Sequence, residues 1–179
     1  HTTRIYETTM DVLEAKGIDY ATADHGMTIN MGAEATFTVL LPNADHLLTG
    51  TRSDLNSNSV VLRLDHLANS FLFTGDAEAP TEAALLASGL EHVDVLKVAH
   101  HGSDHSSTKP FLDALHPQLA LISAGQDNRY GHPAAEAIDR LKAAGAIVYR
   151  TDMSGQLRII SYGESLEVLE GSVAEIAAL

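Results

Sequence analysis

Short apolar segments alternate with helical segments along most of the chain, and this order indicates a layered α/β domain. Two connections, at 67–70 and at Ser154-Gly155, have the composition of hairpin turns, whereas the others contain helical patterns. The sheet is therefore expected to be mixed rather than wholly parallel. Predicted strands cover 36–41, 59–64, 71–74, 93–98, 119–123, 147–150 and 156–161. Predicted helices cover 5–16, 81–88, 110–115 and 133–144, and a weak strand or short helix follows Gly163 as a terminal tail over 163–179.

Composition limits the partners of such a domain. The 179 residues fit one domain with its own core, and 11 Lys+Arg against 24 Asp+Glu give a formal charge of −13. A surface this acidic argues against a broad nucleic-acid footprint and against stable membrane contact by this segment, although a small phosphate site remains compatible with it. With no Cys but 10 His, any metal site must use imidazole and oxygen ligands.

Polar residues beside glycine follow three of the predicted strands. The segments are Thr74-Gly75-Asp76, His100-His101-Gly102-Ser103 and Tyr130-Gly131-His132-Pro133. Ligands of open α/β sheets bind where strand ends present such loops to one edge. If the three loops share an edge, they combine one carboxylate with up to three imidazoles, which suits Zn²⁺ or Mn²⁺. The long polar loop over 45–58 is also of a kind that often carries function.

Each of these loops also has an ordinary structural interpretation. Gly75-Asp76 is a common turn sequence. His100 and His101 are neighbours whose side chains point apart unless the backbone turns, which Gly102 permits. His132 could simply cap the helix that follows Pro133.

Five segments carry a resemblance to a known family. They are 57–64, 73–78 (Phe-Thr-Gly-Asp-Ala-Glu), 94–103 (Asp-Val-Leu-Lys-Val-Ala-His-His-Gly-Ser), 128–133 (Asn-Arg-Tyr-Gly-His-Pro) and 149–155. In this order and at this spacing they resemble the metallo-β-lactamase-fold hydrolase domain of the ComEC competence proteins and their stand-alone relatives. The match runs from about Asn56 to Ile160, and residues 6–42 agree in layout.

The resemblance implies an αββα sandwich with two divalent metal ions, Zn or Mn, at one edge. It implies a phosphodiesterase or nuclease that acts on DNA during uptake, in which a hydroxide held between the metals attacks the phosphate. Asp76 matches the bridging carboxylate. His100 and His101 match a metal-binding pair, of which one is expected to ligate and the other to face the phosphate, with His101 favoured as the ligand. His132 is expected to stabilise the transition state or protonate the leaving oxygen, and Ser103 and His132 are expected to line the substrate pocket.

The chain also departs from the family pattern. The fold's main metal motif, His-x-His-x-Asp-His, occurs nowhere in it. In the family this motif precedes the helix that begins near His1, so residues 1–179 are expected to form about the C-terminal two-thirds of one domain. Such a fragment should have weak hydrolytic activity, or none, unless the missing N-terminal part is supplied. A further histidine position is replaced within 54–58, where Asp54 or Asn58 could supply an oxygen to the substrate or metal, although Asn58 could equally just begin a strand.

Histidine also occurs outside the motifs, and other functions are compatible with the same scaffold. The histidines outside the motifs are expected to be solvated surface residues: His25, His46, His66, His92, His105 and His116. Ester or lactone hydrolysis on the same scaffold is the second candidate function, and a degenerate, non-catalytic interaction module is the third. The acidic surface favours a location outside the cytoplasm.

Overall fold

A computed structural model describes residues 3–171 of the chain. The strands are β1 Thr28–Asn30, β2 Ala35–Leu41, β3 Val61–His66, β4 Asn69–Phe73, β5 Val95–Lys97, β6 Leu119–Ile122, β7 Ile147–Arg150, β8 Gln156–Ser161 and β9 Leu166–Gly171. The α-helices are α1 Arg4–Ala15, α2 Asp54–Ser57, α3 Ala79–Ala87, α4 Lys109–Leu115, α5 Ala135–Ala143 and α6 Thr151–Ser154. A short 3₁₀ segment spans Ala99–Gly102. None of the helices in this described part is long and apolar enough to cross a membrane.

The first seven strands form one mixed sheet in chain order. Strands β1 to β4 pair antiparallel, and β4 to β7 pair parallel, with α3, α4 and α5 in the parallel crossovers. Strands β8 and β9 form a separate antiparallel hairpin. The predicted mixed α/β architecture is confirmed.

The two faces of the sheet are covered by different layers because successive strand residues point to opposite sides. On one face, Leu72, Leu96 and Ile122 are buried in a large core with the helices. The helical contributions to that core include Leu85, Phe111, Leu112, Leu115 and Leu141.

On the other face a smaller cluster forms with the hairpin. Phe71, Val95 and Leu119 are buried there, and Ile159 and Val168 of the hairpin are only partly buried against them. The described residues therefore supply three layers, namely helices, a large sheet and a two-stranded second sheet, of the predicted αββα sandwich.

The sequence predicted most elements within a few residues. Strands β7 and β8 coincide with the predicted ranges, and the predicted helix near the N-terminus is α1, which begins after its N-cap Thr3. The predicted tail contains β9 as a strand, and its remainder, 172–179, lies outside the described residues. Strand β1 was not predicted, and the polar loop over 45–58 contains the one-turn helix α2.

Candidate active site at the carboxyl edge of the sheet

Three loops meet at one edge of the sheet, as the sequence predicted. Strands β4, β5 and β6 lie side by side in parallel, so the segments that follow them leave the sheet at the same edge. The amide of His100 donates to the carbonyl of Gly75 at 3.0 Å, which joins the first loop to the second. The amide of Ala134 donates to the carbonyl of Gly102 at 2.9 Å, which joins the second loop to the third.

The second loop turns through an unusual backbone conformation. His100 has φ 46° and His101 has φ 55°, so two adjacent non-glycine residues occupy the left-handed region, followed by Gly102 at φ 81°. Each such non-glycine residue costs on the order of 1–3 kcal/mol, and strain of this size is concentrated at functional sites. The turn that separates the two imidazoles is thus made by the histidines themselves, and not by Gly102 alone as expected.

His101 and Asp76 face each other across two of the loops. His101 Nε2 lies 3.8 Å from Asp76 Oδ1, and about half of each side chain is exposed. His101 Nδ1 lies 2.7 Å from the carbonyl oxygen of Ser123, a contact that places the ring proton on Nδ1. Nε2, which lies near the carboxylate, is therefore the nitrogen left free to bind a cation. Metal-binding histidines typically have this arrangement, in which the second ring nitrogen donates to a backbone carbonyl.

His100 has a different environment from its neighbour. Its ring centroid lies 6.5 Å from that of His101 and 5.6 Å from that of His132. The Nδ1 atom lies 3.4 Å from Glu78 Oε1, too poorly aligned for a hydrogen bond, and is otherwise unpartnered among the described residues. His100 thus faces His132 and Glu78, whereas the contact with Asp76 is made by His101.

Glu78 is a buried carboxylate that the sequence argument did not use. It is only 2% exposed, and its Oε1 accepts from Asn56 Nδ2 at 3.2 Å and lies 3.4 Å from Arg52 Nη1. It therefore links the loop around α2 to the histidine turn. In the sequence, only its place in the Gly-Asp-Ala-Glu segment marks Glu78 as a candidate site residue. Its contact with His100 cannot be read there, because it depends on loops that are distant in the chain.

The third loop is held in shape by Asn128. Its Oδ1 accepts from the amides of Tyr130 at 3.2 Å and His132 at 3.1 Å, and its Nδ2 donates to the carbonyls of Gly125 and His132. Burial lowers the pKa of the His132 imidazole, and the neighbouring imidazoles of His100 and His101 lower that pKa further, against the opposite effect of Asp104 and Asp76. The neutral form of His132, which can donate one hydrogen bond, is therefore favoured near neutral pH.

Two glycines allow the loops to approach closely. A Cβ at Gly102 would lie 2.6 Å from Pro133 Cβ, and one at Gly75 would lie 3.0 Å from Ser59 Cβ. Both glycines also have positive φ, +81° and +54°. The glycines of these motifs therefore permit a close approach of the loops that a side chain would prevent.

Asp76 follows a buried strand but is itself accessible. Strand β4 is mostly buried, whereas the Asp76 side chain is 46% exposed and lies at the open edge, because the chain leaves the sheet at Thr74-Gly75. An exposed position at the edge is accessible to a ligand from solvent.

Three other candidate residues have roles within their own loops. Asn58 Oδ1 accepts from the Leu48 amide, and its Nδ2 donates to the carbonyls of Leu48 and Asp54. The Asp54 carboxylate accepts from the hydroxyl of Thr51 and from the amides of Thr51 and Gly50, which lowers its pKa.

Ser103 is 2% exposed, and its Oγ contacts Asp104 Oδ1 and the amide of His105. The other histidines, expected on the surface, are exposed at five positions. His66 is half-buried, and its Nδ1 lies 2.7 Å from Ser161 Oγ of the hairpin.

Lys97 is a further charged residue that the sequence argument passed over. Burial lowers the pKa of its ammonium group, and the charge of Asp76 partly opposes that effect. Its Nζ donates to the carbonyl of Val98 at 2.9 Å. The charge of Lys97 therefore interacts with that of the candidate carboxylate.

The residues present fit part of a metal site. Asp76 and His101 supply two donors of suitable type and orientation, but the described residues contain no group of three or more His, Asp or Glu side chains that could hold a metal. Catalytic zinc sites use three protein ligands. The described part of this chain alone therefore does not complete such a site.

The mixed sheet, the helical layer and the histidine- and aspartate-bearing loops define a domain of the metallo-β-lactamase fold. A putative metal-dependent hydrolase from Parabacteroides distasonis aligns with a TM-score of 0.52 at 14% identity, over 78% of this chain and 60% of that one. CmlA, a diiron β-hydroxylase from Streptomyces venezuelae, aligns with a TM-score of 0.54 at 17% identity, over 89% of this chain and 36% of that one. These likenesses support the fold.

The particular relatives are competence proteins, and the resemblance seen in the sequence is confirmed. The chain is 40% identical over 118 residues to Recombination protein 2 of Haemophilus influenzae, which covers 66% of this chain and 15% of that protein. It is 38% identical to ComE operon protein 3 of Bacillus subtilis over 58% of this chain and 13% of that protein. It is also 38% identical to Competence protein ComA of Neisseria gonorrhoeae over 59% of this chain and 16% of that protein. The chain thus corresponds to about a seventh of each relative. It matches no protein-family model.

Proposed function

We propose that this chain is part of a metal-dependent phosphodiester hydrolase that acts on DNA. The observation that carries the proposal is the pairing of Asp76 with His101, whose Nδ1 is anchored on a backbone carbonyl while Nε2 faces the carboxylate. A divalent metal ion held there would activate water and bind phosphate oxygens. The remaining ligands would come from outside the described residues. Zn and Mn are both compatible with imidazole and carboxylate donors.

Other residues of the edge would bind and orient the phosphate. The neutral His132 would donate a hydrogen bond to a phosphate oxygen and stabilise charge that develops in the transition state. His100, which lies between Glu78 and the His132 ring, would present its Nε2 to the same region. The ammonium group of Lys97, close to Asp76, would add positive charge.

The biological setting follows from the relatives. The names of the similar proteins refer to competence and recombination, which supports a role in DNA uptake. Such a role, together with the acidic surface, favours action outside the cytoplasm. We also propose that residues 1–179 belong to one domain, whose metal site is completed by a preceding N-terminal part.

Hydrolysis assays with substrates of different classes test the proposal. The chain, alone and within any longer natural protein that carries it, would be incubated with Mn²⁺ or Zn²⁺ and one of three substrates: bis-p-nitrophenyl phosphate, single-stranded DNA or a lactone. We expect cleavage of both phosphodiesters that stops on addition of a chelator and recovers when metal is restored.

Two outcomes would contradict the proposal. Faster turnover of the lactone than of either phosphodiester would favour the ester hydrolase. Absence of bound metal and of hydrolysis in the longer protein would favour a non-catalytic interaction module.

A further inference from the structure

An exposed aromatic ring stands beside the candidate site. Tyr130 is 72% exposed although its loop is fixed by four hydrogen bonds of the Asn128 side chain. Its ring lies nearly parallel to that of His132, with centroids 6.2 Å apart and an angle of 17° between the planes. A rigid loop thus presents a large planar surface to solvent next to a residue of the phosphate-binding edge.

A small cavity lies between this ring and His101 of the candidate site. It has a volume of about 200 Å³ and is lined by His101, Ala124, Gly125, Asn128, Tyr130 and His132. Cavities for drug-sized ligands are roughly 300–1,000 Å³. This cavity therefore suits one planar group rather than a whole nucleotide chain, and it begins at the residue proposed to bind metal.

The acidity of the chain favours a contact with DNA that does not depend on charge. With 11 basic residues and a formal charge of −13, the chain offers little of the phosphate neutralisation that supplies most nucleic-acid affinity. Stacking of a base on an aromatic ring is independent of net charge and tolerates any base sequence. The guanidinium carbon of Arg129 lies over the Tyr130 ring, 5.8 Å from its centroid, and adds a positive charge beside the ring.

We propose that Tyr130 is a stacking site for an unpaired nucleobase adjacent to the phosphodiester at the Asp76–His101 edge. The inference rests on the proposed function, because it assigns a base-binding position to the same substrate. A base in a duplex is stacked on its neighbours and unavailable, so the site would select nucleotides that are unpaired. Affinity would come mainly from the ring and only slightly from phosphate contacts.

Equilibrium binding tests the inference separately from catalysis. Fluorescence anisotropy in metal-free buffer would compare a labelled oligothymidine with a labelled abasic strand of equal length, which has the same phosphates and no bases. We expect the chain to bind the oligothymidine more tightly. Tyr130→Leu should weaken that binding by at least about fivefold without changing the abasic affinity, since base stacking is worth at least ~1 kcal/mol. The logarithm of the affinity should fall with the logarithm of salt concentration with a slope shallower than about −2.

Matched variants separate stacking from general effects. Tyr130→Phe retains a ring and should bind as the wild type does. Tyr20→Leu removes another exposed tyrosine, 64% exposed and outside the cavity, and should leave both affinities unchanged. Equal binding of the two strands, binding of neither strand, or an unaltered affinity in Tyr130→Leu would overturn the inference. Failure of the hydrolysis assays alone would instead contradict the proposed function and leave this binding result standing.

Discussion

The adjacent residues His100 and His101 show how a local backbone conformation distributes chemistry at the site. Because both residues are left-handed, their rings diverge to different partners, Glu78 for His100 and the Ser123 carbonyl for His101. In an extended strand the same pair would point to opposite faces of the sheet. The turn therefore brings both rings to one edge, where only His101 faces Asp76.

The role of Asp76 can be tested by a substitution that preserves its shape. Asp76→Asn removes the negative charge beside His101 Nε2, so metal content should fall and phosphodiester hydrolysis by the metal-loaded longer protein should drop by at least ~10²-fold. The fold should be retained, since the side chain is 46% exposed. Metal analysis, turnover and circular dichroism measure the three quantities. Asp113→Asn, at an exposed carboxylate on α4, is the control. Near-wild-type turnover with full metal content would contradict the assignment.

Gly102 provides a second test at this scale, because a side chain there would meet Pro133. Gly102→Ala should lower the free energy of unfolding by about 2–5 kcal/mol, the sum of the costs of a left-handed alanine and of a contact of 2.6 Å between Cβ atoms. Gly131→Ala is the matched control, since that glycine also has positive φ, +71°, but no atom within 4 Å of its Cβ position. Gly131→Ala should lower the free energy of unfolding by about 1 kcal/mol. Urea unfolding measures the stability of both variants. Equal losses of stability would show that the contact between the loops leaves room for a side chain at Gly102.

At the scale of elements, Asp94 links β4, β5 and β6 by hydrogen bonds at the ends of the strands opposite to the candidate site. It lies just before β5, and its carboxylate accepts from the amide and hydroxyl of Ser70 in β4, both at 2.8 Å, and from Gln118 before β6 at 2.9 Å. Burial alone would raise the pKa of this carboxyl group, but the hydrogen bonds from Ser70 and the contact with His92 outweigh it, and the pKa is lowered. The charged form is therefore stabilised by folding.

The stability contributed by Asp94 should depend on pH in a defined direction. Because the folded pKa lies below the unfolded value, the stabilisation is present above the unfolded pKa of about 4 and is lost as the pH falls through the folded pKa. Asp94→Asn should lower the free energy of unfolding by about 1–3 kcal/mol at neutral pH. The amide nitrogen of the asparagine would face N–H and O–H groups that now donate to the carboxylate. The difference from wild type should vanish well below pH 4. Urea titrations at several pH values measure it, and a difference that persists in acid would contradict the charge-based explanation.

The elements show what the sequence could and could not predict. Strands β7 and β8 were predicted with their observed bounds because turn residues and apolar runs define them locally. Strand β1 has three residues, all exposed, so no apolar pattern marks it. The three loops of the site were found because each carries its motif beside glycine. The contact of Glu78 with His100 and the exposure of Tyr130 arise from packing between loops far apart in the chain, which no local pattern encodes.

At the scale of the whole molecule, the sheet is packed unequally on its two faces. The face towards the helices holds the larger cluster of fully buried residues, with Leu72 at 0% exposure. Between the opposite face and the hairpin lies an apolar cavity of about 400 Å³, lined by residues that include Leu64, Phe73 and Ile159. The hairpin side is thus incompletely filled, and the site edge is supported mainly by the helical side.

This difference predicts unequal costs for truncating side chains on the two faces. Leu96→Ala removes a buried side chain, 1% exposed, from the large core and should lower the free energy of unfolding by about 2–5 kcal/mol, because the cavity left behind cannot collapse. Ile159→Ala removes a half-buried side chain that already borders a cavity, so fewer contacts are lost and the cost should be about 1 kcal/mol. Urea unfolding monitored by circular dichroism compares the two variants under the same conditions. Equal losses would mean that the hairpin contributes as much to the fold as the helical layer, and that the cavity beside it is not a weak point of the structure.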